Sequence, residues 1–168
     1  MKTGLSFKKK NVVLGIDPGI ATTGWSVVEK NKGDAHLLGC GVIRTKTSLS
    51  YSSRLHTIYD NLKKIVLKYK PNILSLEQVF FAKNVKTAIN VGEARGIAIL
   101  IASQYHMDIA QYSPTGVKQA LTGYGRAPKQ QVQKIVKALL NLDKIPFPDD
   151  IADALAIALC HLYTKDIG

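Results

Sequence analysis

Acids are scarce in this chain, and three groups of them fall at positions where they could do chemistry. Asp17 closes the apolar run Val12-Val13-Leu14-Gly15-Ile16 and is followed at once by Pro18-Gly19. A short run rich in Val and Ile predicts a buried strand and Pro-Gly predicts a turn, so a lone carboxylate sits at a strand tip. Glu77 repeats the arrangement after Ile73-Leu74-Ser75-Leu76. Asp149, Asp150 and Asp153 open an Ala- and Leu-rich stretch in which Asp150 and Asp153 lie three apart and Asp149 and Asp153 four apart. Either pair projects from one face of a helix. A single Asp before Pro-Gly commonly bonds its own backbone, and a single acid in a first helical turn merely complements the macrodipole. Acids collected at one sheet edge are different, because they repel and require a cation or a proton to coexist.

The elements that must position them follow from the pattern of the chain. Residues 12–17, 24–29 and 36–44 predict three strands of an antiparallel meander, the last two joined by the turn Asn31-Lys32-Gly33-Asp34. The tip between the first two is small: Gly19, Ala21, Thr22, Thr23 and Gly24 leave room for a phosphate or a metal to approach the backbone and Asp17. Residues 51–70 place Leu55, Ile58, Tyr59, Leu62, Ile65, Val66 and Tyr69 at helical spacing, and Pro71 ends that helix. A right-handed crossover then makes the strand at 73–77 parallel to the first and brings Glu77 to the edge that carries Asp17. Residues 84–105 predict a long helix whose expected buried positions are Ala88, Ile89, Gly92, Gly96, Ile99, Leu100 and Ser103. Gly92 and Gly96 lower helix propensity, so the sheet or a second subunit is expected to approach them closely.

Residues 108–112 form another expected strand, and Ser113-Pro114 supplies the cap and first position of a helix through Leu121. A glycine-rich basic loop at 122–129 precedes a helix from Lys129 to about Leu142, with Val132, Ile135, Val136, Leu139 and Leu140 on its apolar side. The last helix follows Pro146 and Pro148. His161 shares the angular position of Asp150, but eleven residues at ~1.5 Å rise place them ~16 Å apart, too far for one metal site. The predicted class is α/β, a mixed sheet of antiparallel meander plus parallel strands flanked by helices.

Size and charge set the outer bounds. The 168 residues, 46% hydrophobic, suit one domain over 12–164, with a flexible basic lead-in at 1–11 and a short tail at 165–168. No apolar run approaches the ~20 residues that span a bilayer, and no signal-peptide core follows Lys8-Lys9-Lys10. Two cysteines, Cys40 and Cys160, make neither a disulfide framework nor a zinc cluster, so a reducing cytoplasmic location is expected. The 23 Lys and Arg against 12 Asp and Glu leave +11, which favours a polyanionic partner, nucleic acid before membrane.

Five ordered blocks carry a family resemblance: Gly-Ile-Asp-Pro-Gly at 15–19, Leu-Glu-Gln-Val-Phe-Phe-Ala-Lys-Asn at 76–84, Gly-Glu-Ala-Arg-Gly at 92–96, Val-Lys-Gln at 117–119 and Asp-Ile-Ala-Asp-Ala-Leu-Ala-Ile-Ala at 150–158. From about Val12 to Tyr163 the chain resembles the RuvC family of Holliday-junction resolvases. The resemblance implies a ribonuclease-H-like fold, a homodimer, a branch-migration helicase complex as partner, and metal-dependent symmetric nicking of four-way junction DNA. It places the family's four acids on Asp17, Glu77, Asp150 and Asp153, which would hold two Mg²⁺ ions, or Mn²⁺ in their stead, ~3.5–4 Å apart. Asp149 competes with Asp150 by a one-residue shift, and the family spacing favours Asp150. Lys118 and Lys129 match lysines beside the scissile phosphate, where a cation offsets transition-state charge. Without the resemblance each would be read as a solvated lysine. Phe80 matches an aromatic inserted at the junction centre, against the ordinary role of a buried ring. Arg95 is expected to touch DNA phosphate or to pair with Glu93. The basic lead-in departs from the family pattern.

Two rivals belong to other classes. An actin-like ATPase lobe also begins with a strand ending in Asp and a Gly-Thr hairpin, but it needs a second such lobe and an adenosine site. A ribonuclease-H-like protein that acts on other nucleic acid, or that binds junctions without cutting, is the second. Loss of an acid would mark the inactive version, and none of the four is missing.

Overall fold

A computed structural model describes residues 11–78 and 85–164. The elements run β1 (Asn11–Asp17), β2 (Thr22–Asn31), β3 (Asp34–Arg44), α1 (Tyr51–Tyr69), β4 (Ile73–Glu77), α2 (Val85–Gln104), β5 (Asp108–Tyr112), α3 (Pro114–Thr122), α4 (Lys129–Leu139) and α5 (Asp149–Thr164). The sheet order is β3-β2-β1-β4-β5. β1/β2 and β2/β3 pair antiparallel, whereas β1/β4 and β4/β5 pair parallel, as the meander and the crossover required. α4 stops at Leu139, short of Leu142, where Asn141 turns the backbone to a positive φ of 49°.

The period of two along β1 divides the core. Val12, Leu14 and Ile16 face the side covered by α1 and α2, and Val13 faces the side covered by α3, α4 and α5. α5 lies directly on the sheet because neither partner has bulk at the crossing. A Cβ on Gly15 would reach within 2.8 Å of Ala158 Cβ, and one on Gly24 would collide with the Asp150 backbone. Two buried hydroxyls fix its register: Ser26 Oγ donates to Ala154 O at 2.9 Å and Ser75 Oγ to Ile157 O at 2.8 Å. These bonds satisfy side chains that would otherwise be buried without partners, and they hold the middle of α5 against β2 and β4.

One expectation is overturned. α2 buries Ala94, Ala98, Ile101 and Ala102, not the face through Gly92 and Gly96. Ile89 is 56% and Leu100 52% exposed, and a Cβ on Gly92 or Gly96 would meet open space. The helix is apolar or small around most of its circumference, so periodicity does not select a face, and α1 packs against the alanine side instead.

Candidate active site

β1 and β4 run parallel in the register Ile16 opposite Leu76, so the next residues, Asp17 and Glu77, emerge from the same edge. Gly24 is the β2 partner of Asp17 and lies under the Asp150 backbone, which brings the first turn of α5 to that edge as well. Asp17, Glu77 and Asp153 line one cavity of about 220 Å³. Lys118 of α3 and Lys129 of α4 complete its charged wall, and Val117, Val132 and Ile157 form an apolar floor. Asp150 does not line the cavity, yet its charge acts on Asp17.

The electrostatics record this crowding. Burial, then repulsion from Asp153, Asp150 and Glu77, pushes the Asp17 carboxyl up to about 7, although Lys129 draws it down. Burial and Asp153 likewise raise Glu77, with Lys118 opposing. Burial pulls the Lys129 ammonium down, but its bonds to Asp153 and Asp149 prevail and hold it above the usual lysine range. Its Nζ donates to Asp153 Oδ2 at 2.9 Å and lies 3.1 Å from Asp149 Oδ2. Gln133, one turn along α4, donates to Asp149 Oδ1 at 3.1 Å.

Asp17, Glu77, Asp153, Lys118 and Lys129 therefore meet in one cavity. Asp149 is joined to α4. Arg95 stands apart from the cavity, its Nη2 donating to Gln111 of β5 at 2.5 Å. Phe80 lies outside the described residues. Ser26, Ser75 and Gln133 were not foreseen: the two serines signal themselves only as hydroxyls inside apolar strands, and Gln133 only as the i+4 neighbour of Lys129.

A hard, all-oxygen donor set in which burial and mutual repulsion hold one carboxyl near 7 fits divalent cations such as Mg²⁺. Among the described residues no three acid, His or Cys side chains stand in a ready coordination sphere. Lys129 is bonded to Asp153 Oδ2, so a metal that took this oxygen would compete with the ammonium.

A family model described as "Crossover junction endodeoxyribonuclease RuvC" matches residues 13–161. A protein of that name from Caldicellulosiruptor saccharolyticus is 52% identical over 154 residues, covering 91% of this chain and 93% of that one. Another from Ruminiclostridium cellulolyticum is 49% identical, covering 94% and 95%. Among solved structures, T. thermophilus RuvC in complex with a Holliday junction substrate superposes with a TM-score of 0.89 at 35% identity, covering 94% of this chain and 96% of that chain. The yeast mitochondrial Holliday junction resolvase, at 16% identity and a TM-score of 0.66, shares the fold.

Proposed function

The chain belongs to the RuvC family of crossover junction endodeoxyribonucleases, and on that premise we propose that its acid cavity is the centre at which four-way junction DNA is cut. It is an endonuclease of Holliday junctions. The observation that carries the site is the convergence of Asp17, Glu77 and Asp153 with two lysines at one sheet edge, where burial and the neighbouring acids hold Asp17 near 7. Asp17, Glu77, Asp150 and Asp153 are the ligands of divalent metal, two Mg²⁺ ions per subunit, for which Mn²⁺ can substitute. When bound, such ions supply an activated water and a Lewis acid for the departing 3′ oxygen.

The chain's own groups do the rest. Asp17 must lose its proton before it can ligate. Ser26 and Ser75 keep α5 in register, so the helical acids do not drift from the strand acids. Lys118, on the cavity wall beside Glu77, offsets charge that develops on the cleaved phosphate, and Lys129 does the same once released from Asp153. No residue forms a covalent intermediate. Phe80 and Arg95 remain DNA contacts on the strength of the family blocks alone.

Opposing strands of a junction are related by a two-fold axis, so symmetric nicking requires two copies of the site, and the enzyme works as a homodimer. The open face of α2 through Ile89, Gly92, Gly96 and Leu100 supports that as the contact surface. A branch-migration helicase complex follows from family membership only. No helix among the described residues is long and apolar enough to cross a membrane, and the free thiols of Cys40 and Cys160 suit the cytoplasm. The test is a synthetic four-way junction with Mg²⁺: paired nicks in opposing strands, linear duplex spared, and cutting lost but binding kept in Asp17→Asn. Cleavage by that variant would remove the metal assignment.

A further inference from the structure

A second concavity lies at the same sheet edge but on the opposite face. The acid cavity is built on the α3, α4 and α5 side, whereas α1 and α2 start from this edge on the other side. Between those two helices and residues 19–22 of the β1–β2 tip is a cavity of about 340 Å³, whose remaining lining is Arg54, Asn90 and Val91. The tip is shared: Gly19 of this cavity follows Asp17 of the other by two residues.

Arg54 is the charged group of that lining, and its geometry is built. Its Nε donates to Thr45 Oγ1 at 2.8 Å, and that hydroxyl donates its own proton to Ile20 O at 2.6 Å. The Thr45 amide takes the next carbonyl, Ala21 O, at 3.1 Å. The Ile20 and Ala21 carbonyls of the tip are thereby engaged, and Thr45 is itself buried at 9% exposure. The two Nη groups of the half-buried guanidinium are left over. No carboxylate of the described residues pairs with them. Such a fork is free to take an anion, and its planar geometry matches a phosphate. Asn90 adds a second polar group. Its Oδ1 faces the Tyr51 hydroxyl at 3.3 Å, which leaves the Nδ2 donors, and the same hydroxyl engages Glu93, the acid one turn on.

We propose that this cavity binds a non-scissile backbone phosphate of the DNA strand being cut, a few nucleotides from the cut, with Arg54 as the fork and Asn90 as the second donor. The proposal rests on the junction-cutting reading. A strand that crosses the edge past Asp17 passes from one cavity to the other over the small residues of the tip, whose lack of bulk then serves both sites. Arg54 touches no reacting atom, so its role is affinity and the placement of the strand.

The test uses the full chain on a four-way junction, with a neutral methylphosphonate replacing one phosphate at a time for three positions on each side of the cut. Wild type is expected to lose about tenfold in affinity at one non-scissile position and to cut at an unchanged rate once saturated. Arg54→Gln should weaken binding to the unmodified junction by the same factor, lower the slope of log K against log salt by about one, and show no further loss at that position. Arg54→Lys should recover the salt slope but only part of the affinity. A wild-type affinity and slope in Arg54→Gln would overturn the proposal, as would equal losses in both proteins at every position. If Arg54→Gln melts early, the wild-type scan and Asn90→Ala decide: indifference to every non-scissile substitution overturns the pocket. A difference between wild type and variant that millimolar inorganic phosphate abolishes, without any methylphosphonate effect, identifies a free-anion site and likewise overturns it. Failure of wild type to cut any junction would instead strike the proposed function.

Discussion

Lys129 and Asp153 form an ion pair 2.9 Å long in the wall of the cavity that Asp17 and Glu77 also line. The ammonium is thus a monovalent tenant among ligands suited to a divalent one. Lys129→Met should move two observables in opposite directions. Mn²⁺ affinity measured by calorimetry rises about two- to fivefold, the value of a partly exposed pair. Junction cutting falls about 10- to 1,000-fold, because the cation is lost from the transition state. Unchanged Mn²⁺ affinity would mean that lysine and metal do not compete.

Asp17 gives the metal-free protein an unusual pH dependence. Its folded-state pKa of about 7 lies above the ordinary 3.8, so the protonated form favours folding. That contribution is full below about pH 3.8 and is lost as pH rises through about 7. In EDTA, urea titrations should find wild type about 2 kcal/mol less stable at pH 8 than at pH 5.5, relative to Asp17→Asn. Metal reverses the preference, and Mn²⁺ affinity should fall toward tenfold per pH unit below 7. Equal pH profiles for wild type and Asp17→Asn would show that the carboxyl is not held protonated.

Asp149 and Asp150 are neighbours in sequence with different surroundings. Asp149 is 61% exposed and held by Lys129 and Gln133, whereas the charge of Asp150 acts on Asp17. Asp149→Asn should leave metal affinity within about threefold of wild type. Asp150→Asn, which removes a proposed ligand and a charge felt by Asp17, should lower metal affinity and cutting by at least tenfold, as losses at metal sites commonly do. The reverse order in a Mn²⁺ titration would shift the ligand set by one residue.

What the sequence made legible was chemistry at element ends. Asp17 and Glu77 were readable because an apolar run of period two stops at an acid, and the crossover rule aligned their strands. Helix geometry put Asp153 on one face with either Asp149 or Asp150, and only the family spacing preferred Asp150. The Lys129–Asp149 pair was not, since it joins α4 to α5 through a crossing that no local period encodes. Nor was the buried side of α2. Its alanines and glycines are alike in hydropathy, and the packing of Ala94 and Ala98 against neighbours decides the matter. Ser26 and Ser75 are hydroxyls inside apolar strands, and their partners are carbonyls far along the chain that no local pattern points to.

The contact between β2 and α5 is a sensitive point for the site. Gly24 pairs with Asp17 and carries the backbone of Asp150 against it, so a methyl group there must push the first turn of α5 away. Gly24→Ala should lower stability by about 1–3 kcal/mol in urea and reduce cutting much more than binding. Gly33→Ala meets no atom within 4 Å of its added carbon, although its φ of 103° adds some backbone strain. It should leave cutting per folded molecule unchanged. Full cutting by Gly24→Ala at a saturating metal concentration would show that the position of α5 is not critical.

The open face of α2 can be tested without DNA. Ile89, Gly92, Gly96 and Leu100 recur at three- and four-residue spacing, opposite the alanines that face the protein, and no described residue covers the two glycines. A stripe in which small residues lie between two large exposed apolar side chains lets a second helix approach closely and bury both. Gly96→Glu places a charge where the intrachain surroundings are empty, so the monomer fold should survive apart from the ordinary helix propensity change. Sedimentation should then show a dimer for wild type and a monomer for the variant. Because two cuts need two sites on one axis, the variant should nick junctions singly and release few resolved duplexes. A variant that remains dimeric with unaltered paired nicking would move the interface to another surface.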